Sequence, residues 1–220
     1  MRRVRLLFSK MGKAKYLSHL DLLRTFQRVF LRAGLTLRHT EGFNPHPYMN
    51  FALPLPVGTE SVCELLDFDL TDDIELSALP GLLNKTMPEG IEALEAYQPE
   101  RKFSDIKWLK AEGRLFFDRG VPEDAKGKLE AFFAKKELVI QKKSKKGYAE
   151  TDIAPLLYRA AVTAKSKEEL TMSVVVAAQN PSLNPDNLIT AIRKYIPELA
   201  PDFAEFRRLA VYDGSHGDFR

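Results

Sequence analysis

Three of the four histidines, His19, His39 and His46, lie within 28 residues near the start of the chain. Imidazole titrates near neutral pH and can act as an acid, a base or a metal ligand. His46 stands between two prolines that restrict the backbone, so a rigid loop presents its ring. We weigh a functional and a structural role equally for His46, and favour a structural role for His19 and His39. No pair has the spacing of a helical zinc motif, and no metal site is predicted.

Lys15 adds a cation close to the first histidine. In a metal-independent ribonuclease, His39 or His46 would be the general acid or base, and Lys15 would stabilise the charge of the phosphorane. His46, His39 and Lys15 are therefore the candidate catalytic residues. The sequence has no P-loop, no dinucleotide-binding glycine motif and no nucleophile elbow. A binding or accessory role is accordingly favoured over an enzyme, and no cofactor is expected.

Three arginines, Arg24, Arg28 and Arg32, recur at every fourth position of a predicted helix. Side chains four residues apart lie on one helix face, and guanidinium groups hold phosphates through paired hydrogen bonds. The row is a candidate contact for a nucleic-acid backbone. The alternative is an ordinary solvated face opposite the apolar stripe, and that alternative is favoured for this row taken alone.

A second cationic group lies between two predicted strands. Its lysines could contact phosphates, and the tyrosine that follows them could stack on a base. A charged hairpin tip that only aids solubility is an equal alternative. The group consists of Lys142, Lys143, Lys145, Lys146 and Tyr148.

The charge is uneven along the chain. Residues 1–50 carry ten basic side chains against two acids, and residues 51–100 carry one against eleven. A positive face that attracts a polyanion and a fold in which these segments pair are equally good explanations. The single cysteine, Cys63, excludes an internal disulfide and an iron–sulfur cluster held by this chain alone. With no apolar run long enough to span a bilayer and no signal peptide, we expect a cytoplasmic protein.

The predicted elements alternate as β-α-β-β-α-β in each half of the chain. In the first half, strands are predicted at 2–8, 35–40, 64–70 and 91–97, a helix from Ser18 to Gly34, and a second helix over 74–87 that is broken or begun near Pro80. In the second half, strands are predicted at 114–117, 138–141, 170–177 and 209–212 and helices at 122–135 and 184–195, while 148–165 is left open. The order predicts an α+β fold of two ferredoxin-like modules in tandem, 1–98 and 104–220.

Several unusual runs occur together in the first seventy residues: Tyr16-Leu-Ser-His-Leu-Asp-Leu-Leu-Arg24, Glu41-Gly-Phe-Asn-Pro-His-Pro47 and Phe51-Ala-Leu-Pro-Leu-Pro-Val-Gly58. In these runs the chain resembles the radical SAM-linked protein family, whose members are encoded beside or fused to a radical SAM enzyme. The resemblance implies a radical SAM partner and no catalytic residue. The residues taken as its signature are Tyr16, His19, Asp21, Asn44 and His46.

The element order also resembles the Cas6-like proteins, which pair two such modules and cut RNA with a histidine near the first helix. His39 or His46 would be the counterpart here. The glycine-rich loop expected near the C-terminus is missing, with only Gly214-Ser-His-Gly217 in its place. The likeness therefore favours RNA contact and not cleavage.

Three functions follow, in this order of preference. The first is an RNA-binding accessory protein that presents RNA, such as tRNA or rRNA, to a radical SAM modification enzyme. The second is a subunit that binds that enzyme and no RNA, using the acidic segment 51–100. The third is a metal-independent endoribonuclease.

Changing Lys142, Lys143, Lys145 and Lys146 together to Glu tests the first function. Binding to total cellular RNA should weaken with salt in the natural protein and collapse in the variant, because each phosphate contact releases counterions. A filter-binding titration across a salt series measures both effects. Absence of binding at low salt would leave the interaction subunit.

Overall fold

The computed structural model describes residues 2–144 and 147–220 and shows an α+β fold. The chain divides into two compact units. The first runs to Asp105 and includes Arg220, and the second spans Ile106–Phe219. Within the described residues there are ten strands and four α-helices.

The first unit has the element order β-α-β-β-α-β. Its strands are all antiparallel to their neighbours and lie in the order β4-β1-β3-β2. The elements are β1 (Arg2–Lys10), α1 (His19–Arg32), β2 (Met49–Phe51), β3 (Glu60–Leu70), α2 (Leu79–Asn84) and β4 (Ile91–Tyr97).

One face of this sheet forms the core with the two helices. Side chains alternate across a strand, so Leu6 and Phe8 of β1 and Phe68 of β3 point to the same face and are buried. Phe26 and Phe30 of α1 pack on them: the ring centroids of Phe8 and Phe26 are 4.9 Å apart, and those of Phe30 and Phe68 are 4.7 Å apart. This packing fixes which side of α1 faces solvent.

The opposite face of the sheet carries ion pairs between β1 and β3. The antiparallel register sets Arg5 opposite Asp67 and Arg3 opposite Asp69. Arg5 is buried and donates from Nε to Asp67 Oδ1 at 2.7 Å and from Nη2 to Oδ2 at 2.9 Å. Asp69 is contacted by Arg3 at 2.9 Å and by Arg38 at 2.9 Å. The basic opening segment and the acidic segment therefore pair with each other in part.

The second unit repeats the strand order around an inserted hairpin. Four of its strands lie in the order β10-β5-β9-β8, and β6 and β7 form a separate two-stranded hairpin. The elements are β5 (Trp108–Phe116), α3 (Ala125–Phe133), β6 (Val139–Ser144), β7 (Gly147–Asp152), β8 (Leu157–Ala164), β9 (Glu169–Ala177), α4 (Asp186–Tyr195) and β10 (Phe203–Tyr212).

Two predicted elements differ from the structure. The segment 35–40 alternates in burial, yet it forms only the isolated bridges Leu37–Leu70 and His39–Pro47, and the second strand of the unit is β2. The helix predicted over 74–87, broken or begun near Pro80, is confirmed at its break: a short 3-10 helix comes first, and α2 begins with Pro80 in its first turn.

The strand predicted at 138–141 is part of the hairpin and not of the sheet. The sheet strand in its place is β8, from the segment whose structure was left open. Most side chains of β8 are exposed or half-buried, because β8 is the last strand of the sheet order. An edge strand of this kind lacks the apolar alternation that sequence patterns detect.

Replacing Asp67 by Ala should lower the free energy of unfolding by about 3–5 kcal/mol, because a buried guanidinium then loses its carboxylate. Urea denaturation measures this. The double variant Arg5→Met, Asp67→Leu should recover most of the loss. The exposed Glu92→Ala serves as the control and should change stability by less than about 0.5 kcal/mol.

Candidate functional site

Helix α1 is held at both ends by local contacts. The hydroxyl of Ser18 accepts a hydrogen bond from the backbone N–H of Asp21 at 3.2 Å and donates to the Asp21 carboxylate at 2.6 Å. At the other end Gly34 takes a positive φ of +70°, and the N–H of Leu35 bonds to the carbonyl of Phe30 at 3.0 Å. The predicted start and end of this helix are confirmed.

Arg24, Arg28 and Arg32 project from α1 into solvent. Arg24 lies 3.8 Å from the carboxylate of Asp21. Among the described residues, no hydrogen bond or ion pair neutralises Arg28 or Arg32. Successive members of the row are about 6 Å apart along the helix axis. The row is thus a solvated set of cations of which two have no internal counter-ion.

The loop 35–47, which follows α1, is closed near its base by two backbone hydrogen bonds. The N–H of Thr40 bonds to the carbonyl of His46 at 2.8 Å, and the N–H of Tyr48 bonds to the carbonyl of Arg38 at 2.8 Å. All residues from 41 to 46 are exposed. Phe43 is fully exposed in the middle of this stretch. An apolar ring held in water on a tethered loop is available to a ligand.

A cavity of about 560 Å³ lies between the second half of α1 and this loop. Most of its walls are apolar, and its polar groups are one amide, one hydroxyl and two imidazoles. Its lining residues are Gln27, Phe30, Leu31, Leu35, Thr36, Leu37, His39, Pro45, His46 and Pro47.

Both imidazoles of the cavity are oriented by backbone carbonyls. His39 Nδ1 lies 3.0 Å from the carbonyl oxygen of Leu37. His46 Nδ1 lies 3.2 Å from the carbonyl oxygen of Asn44 and 3.1 Å from the hydroxyl of Thr40. A carbonyl only accepts, so these contacts assign the proton of each neutral ring to Nδ1 and leave Nε2 as an acceptor.

The three predicted histidines do not form one cluster. His19, the first residue of α1, packs edge-on against Phe51 with ring centroids 5.4 Å apart. It is absent from the cavity, which α1 lines only from Gln27 onward. Lys15 is also outside the lining and lies over the ring of Tyr16 at 5.4 Å. No group of three potential metal ligands occurs among the residues that the structure describes.

Two residues close to His46 in the chain, Tyr48 and Asn44, have different surroundings. Tyr48 lies beneath two guanidinium groups, at 5.3 Å from Arg3 and 4.7 Å from Arg38. Asn44 is exposed and contributes its carbonyl to His46. Gln27, Thr36 and Phe43 were missed by sequence reasoning. The one signal for Gln27 was its spacing of four residues from Leu31.

The second predicted cationic group lies on the β6–β7 hairpin. The ammonium of Lys142 donates to the carbonyl of Ser182, and Lys143 pairs in register with Tyr148. Tyr148 is 72% exposed. Lys145 and Lys146 lie outside the described residues. Tyr148 is therefore presented to solvent as expected, while the ammonium of Lys142 has a partner within the second unit.

The second unit also holds an aromatic stack. The rings of Tyr158 and His216 are 3.8 Å apart, and those of Trp108 and His216 are 5.0 Å apart. The turn that carries His216 is organised by the carboxylate of Asp213, which accepts from the N–H groups of Ser215 and Gly217. This stack fastens the C-terminal segment to the strands β5 and β8.

A family model described as "Uncharacterized protein conserved in bacteria (DUF2344)" matches residues 3–185. No curated protein matches the sequence. No helix among the described residues is long and apolar enough to cross a membrane.

Solved structures match the fold over almost all of this chain. A chain of a Cbf5–Nop10–Gar1 complex matches with a TM-score of 0.54 and 11% identity, over 94% of this chain and 48% of that one. A chain of an H/ACA RNP bound to a substrate RNA containing 2′-deoxyuridine gives 0.49 and 10%, over 94% and 46%. An archaeal box H/ACA sRNP Nop10–Cbf5 complex gives 0.47 and 11%, over 93% and 46%. The present chain spans about half the length of these chains, and at such identities the likeness concerns the fold alone.

Replacing Ser18 by Ala tests how α1 is anchored. The lost N-cap should lower the free energy of unfolding by about 1 kcal/mol. The hydrogen bond from Ser18 lowers the pKa of Asp21, so the variant should return that pKa toward its ordinary value. A carboxyl group whose pKa is lower in the folded than in the unfolded protein stabilises the fold at pH values above the unfolded pKa. This stabilisation is lost as the pH falls through the folded pKa. The difference in free energy of unfolding between the natural protein and Ser18→Ala should therefore become smaller at acidic pH. Carboxyl NMR titration and urea denaturation measure the two effects, and an unchanged Asp21 titration would contradict this account.

Proposed function

The chain belongs to the DUF2344 family of uncharacterized proteins conserved in bacteria, and for it we propose the function of an RNA-binding accessory protein. In this proposal the exposed face of α1 holds the phosphates of a single RNA strand. The hairpin β6–β7 adds Tyr148 as a stacking surface. The bound RNA, such as tRNA or rRNA, is presented to a partner radical SAM modification enzyme.

The arginine row of α1 carries the proposal. Arg28 and Arg32 are exposed and, in the described part of the chain, have no counter-ion. Two of the four acids of β3 are unavailable to them, because Asp67 and Asp69 are paired with arginines outside the row. A row of un-neutralised guanidinium groups favours an extended polyanion, whose phosphates can each accept two hydrogen bonds.

Exposed aromatic rings in the same unit support a single strand over a duplex. Tyr16 is 65% exposed just before α1, and Phe43 is fully exposed in the loop after it. Unpaired bases stack on such rings with little dependence on sequence, which is how many proteins hold single-stranded nucleic acid. A duplex keeps its bases stacked on each other and gains nothing from these rings.

The strand topology supports an assignment of the fold as two ferredoxin-like modules in tandem. Both units have a β-α-β-β-α-β order, with the hairpin inserted in the second, and in both units the fourth strand lies beside the first and the first beside the third. We propose modules at 1–98 and 104–220 on this basis. The likeness to the Cbf5–Nop10–Gar1 structure concerns the fold and adds nothing about RNA.

The radical SAM partner, the Cas6-like relation and the cytoplasmic location stay predictions from the sequence. A subunit that binds its partner enzyme without RNA is the second candidate. It is favoured by Leu20 and Leu31, two leucines of α1 that are 63% and 78% exposed, since apolar side chains in water often mark a protein contact. A ribonuclease would need the cation Lys15 beside the histidines, and Lys15 is absent from the cavity that His39 and His46 line.

Changing Arg24, Arg28 and Arg32 together to Gln tests the proposal. Each lost contact should reduce the slope of log K against log salt by about 0.7 for a single strand, so the variant should show a slope smaller by about two. Fluorescence anisotropy of a labelled single-stranded RNA in chelator measures this, and gel analysis of the recovered RNA detects any cleavage.

The matched control changes the exposed Lys126, Lys136 and Lys167 to Gln, which removes the same charge from the second unit. It should leave the slope almost unchanged. Equal losses in the two triple variants would mean binding by net charge alone and would contradict a site on α1. Complete absence of RNA binding together with a stable enzyme complex would favour the interaction subunit.

A further inference from the structure

We infer that the cavity between α1 and the loop 35–47 receives one unpaired nucleobase of the RNA bound along α1. This inference rests on the proposed function and deepens it. It assigns a ligand class to the cavity itself: a planar heterocycle attached to a phosphodiester backbone.

The size and walls of the cavity suit such a ring. Its volume of about 560 Å³ lies within the range of small-molecule sites, which are mostly apolar with a few placed polar groups. Phe30, Leu31 and Leu37 supply apolar surface to the faces of a ring. Pro45 and Pro47 hold the opposite wall rigid, since proline fixes its own φ. The site therefore exists before the ligand arrives.

The polar groups of the cavity match the edge of a base. The amide of Gln27 offers a donor and an acceptor together, which is the pattern that a base edge completes. The carbonyl oxygens of Leu37 and Asn44 accept hydrogen bonds from Nδ1 of His39 and His46. Each neutral ring then keeps Nε2 as an acceptor for an amino or imino group. A purely apolar ligand would leave these groups unpaired, and that is costly when they are buried.

The arginine row favours binding of a nucleotide over binding of a free heterocycle. Residues three and four apart are neighbours on a helix, so Arg24 is adjacent to Gln27, and Arg28 is adjacent to Leu31. One row of α1 thus lines the cavity while the next row carries the cations. A base in the cavity would keep its own phosphates beside Arg24 and Arg28, and this juxtaposition selects a base that remains part of a strand.

Single-stranded RNA carrying 2-aminopurine and a terminal dye tests the inference. Anisotropy of the dye measures total binding, and 2-aminopurine emission with its protection from acrylamide measures burial of the base. The natural protein should show both changes. Gln27→Trp and Thr36→Phe fill the cavity from two different walls, and both should abolish the 2-aminopurine signal. Each should weaken binding by roughly tenfold or more, the loss of one stacked base.

Two controls separate this inference from the proposed function. Leu20→Trp adds the same ring to an exposed position of α1 outside the cavity and should retain both signals. An abasic phosphodiester oligomer of equal length should bind the natural protein and Gln27→Trp alike, because it engages only the arginines. Circular dichroism checks that each variant is folded.

The outcomes are distinct. Salt-dependent anisotropy without a 2-aminopurine change in the natural protein overturns the nucleobase site and leaves RNA binding in place. A full 2-aminopurine signal in both cavity-filling variants overturns it as well. If the dye-labelled RNA does not bind at low salt, the proposed function fails and the nucleobase site fails with it.

Discussion

The packing of α1 on the sheet through Phe26 and Phe30 determines what the first unit can present. Phe26 lies against Phe8 and Phe51, with ring centroids 4.9 and 5.7 Å away, and Phe30 lies against Phe68. These aromatic contacts bury one side of the helix and set its rotation about its own axis. With the rotation set, the helical period turns the arginine row to solvent and places Gln27 and Leu31 over the loop that follows.

The ion pairs on the opposite face of the sheet have a different consequence. Asp67 and Asp69 form ion pairs with Arg3, Arg5 and Arg38, so two acids of the acidic segment are neutralised inside the first unit. A buried pair of this type costs desolvation and contributes little net stability. Its importance here is to the charge pattern, because Asp67 and Asp69 are paired with arginines other than those of α1.

The cavity arises where a regular element gives way to an irregular one. The segment 35–40 begins with the burial of a strand, but it bridges β3 only at Leu37. The next bridge joins His39 to Pro47 within the loop, and pairing with β3 resumes at β2. Proline residues prevent continuous pairing there because they lack an N–H group. The gap that remains between α1 and the loop is lined by both, so one side of the site is rigid helix and the other is a proline-braced loop.

Features that depend on neighbouring residues in the chain were predictable from the sequence. The Ser18 cap, the Gly34 stop and the arginine row all arise within a few residues, because helix ends and helix faces obey a short period. The β-α-β-β-α-β order followed in the same way, apart from the short strand β2 and the edge strand β8, whose side chains carry little pattern. The tertiary structure alone decided that His39 and His46 share a cavity while His19 stands apart on Phe51, and that Arg5 pairs with Asp67 across 62 residues of chain. Such contacts depend on strand register and on a loop path, and no local propensity encodes either one.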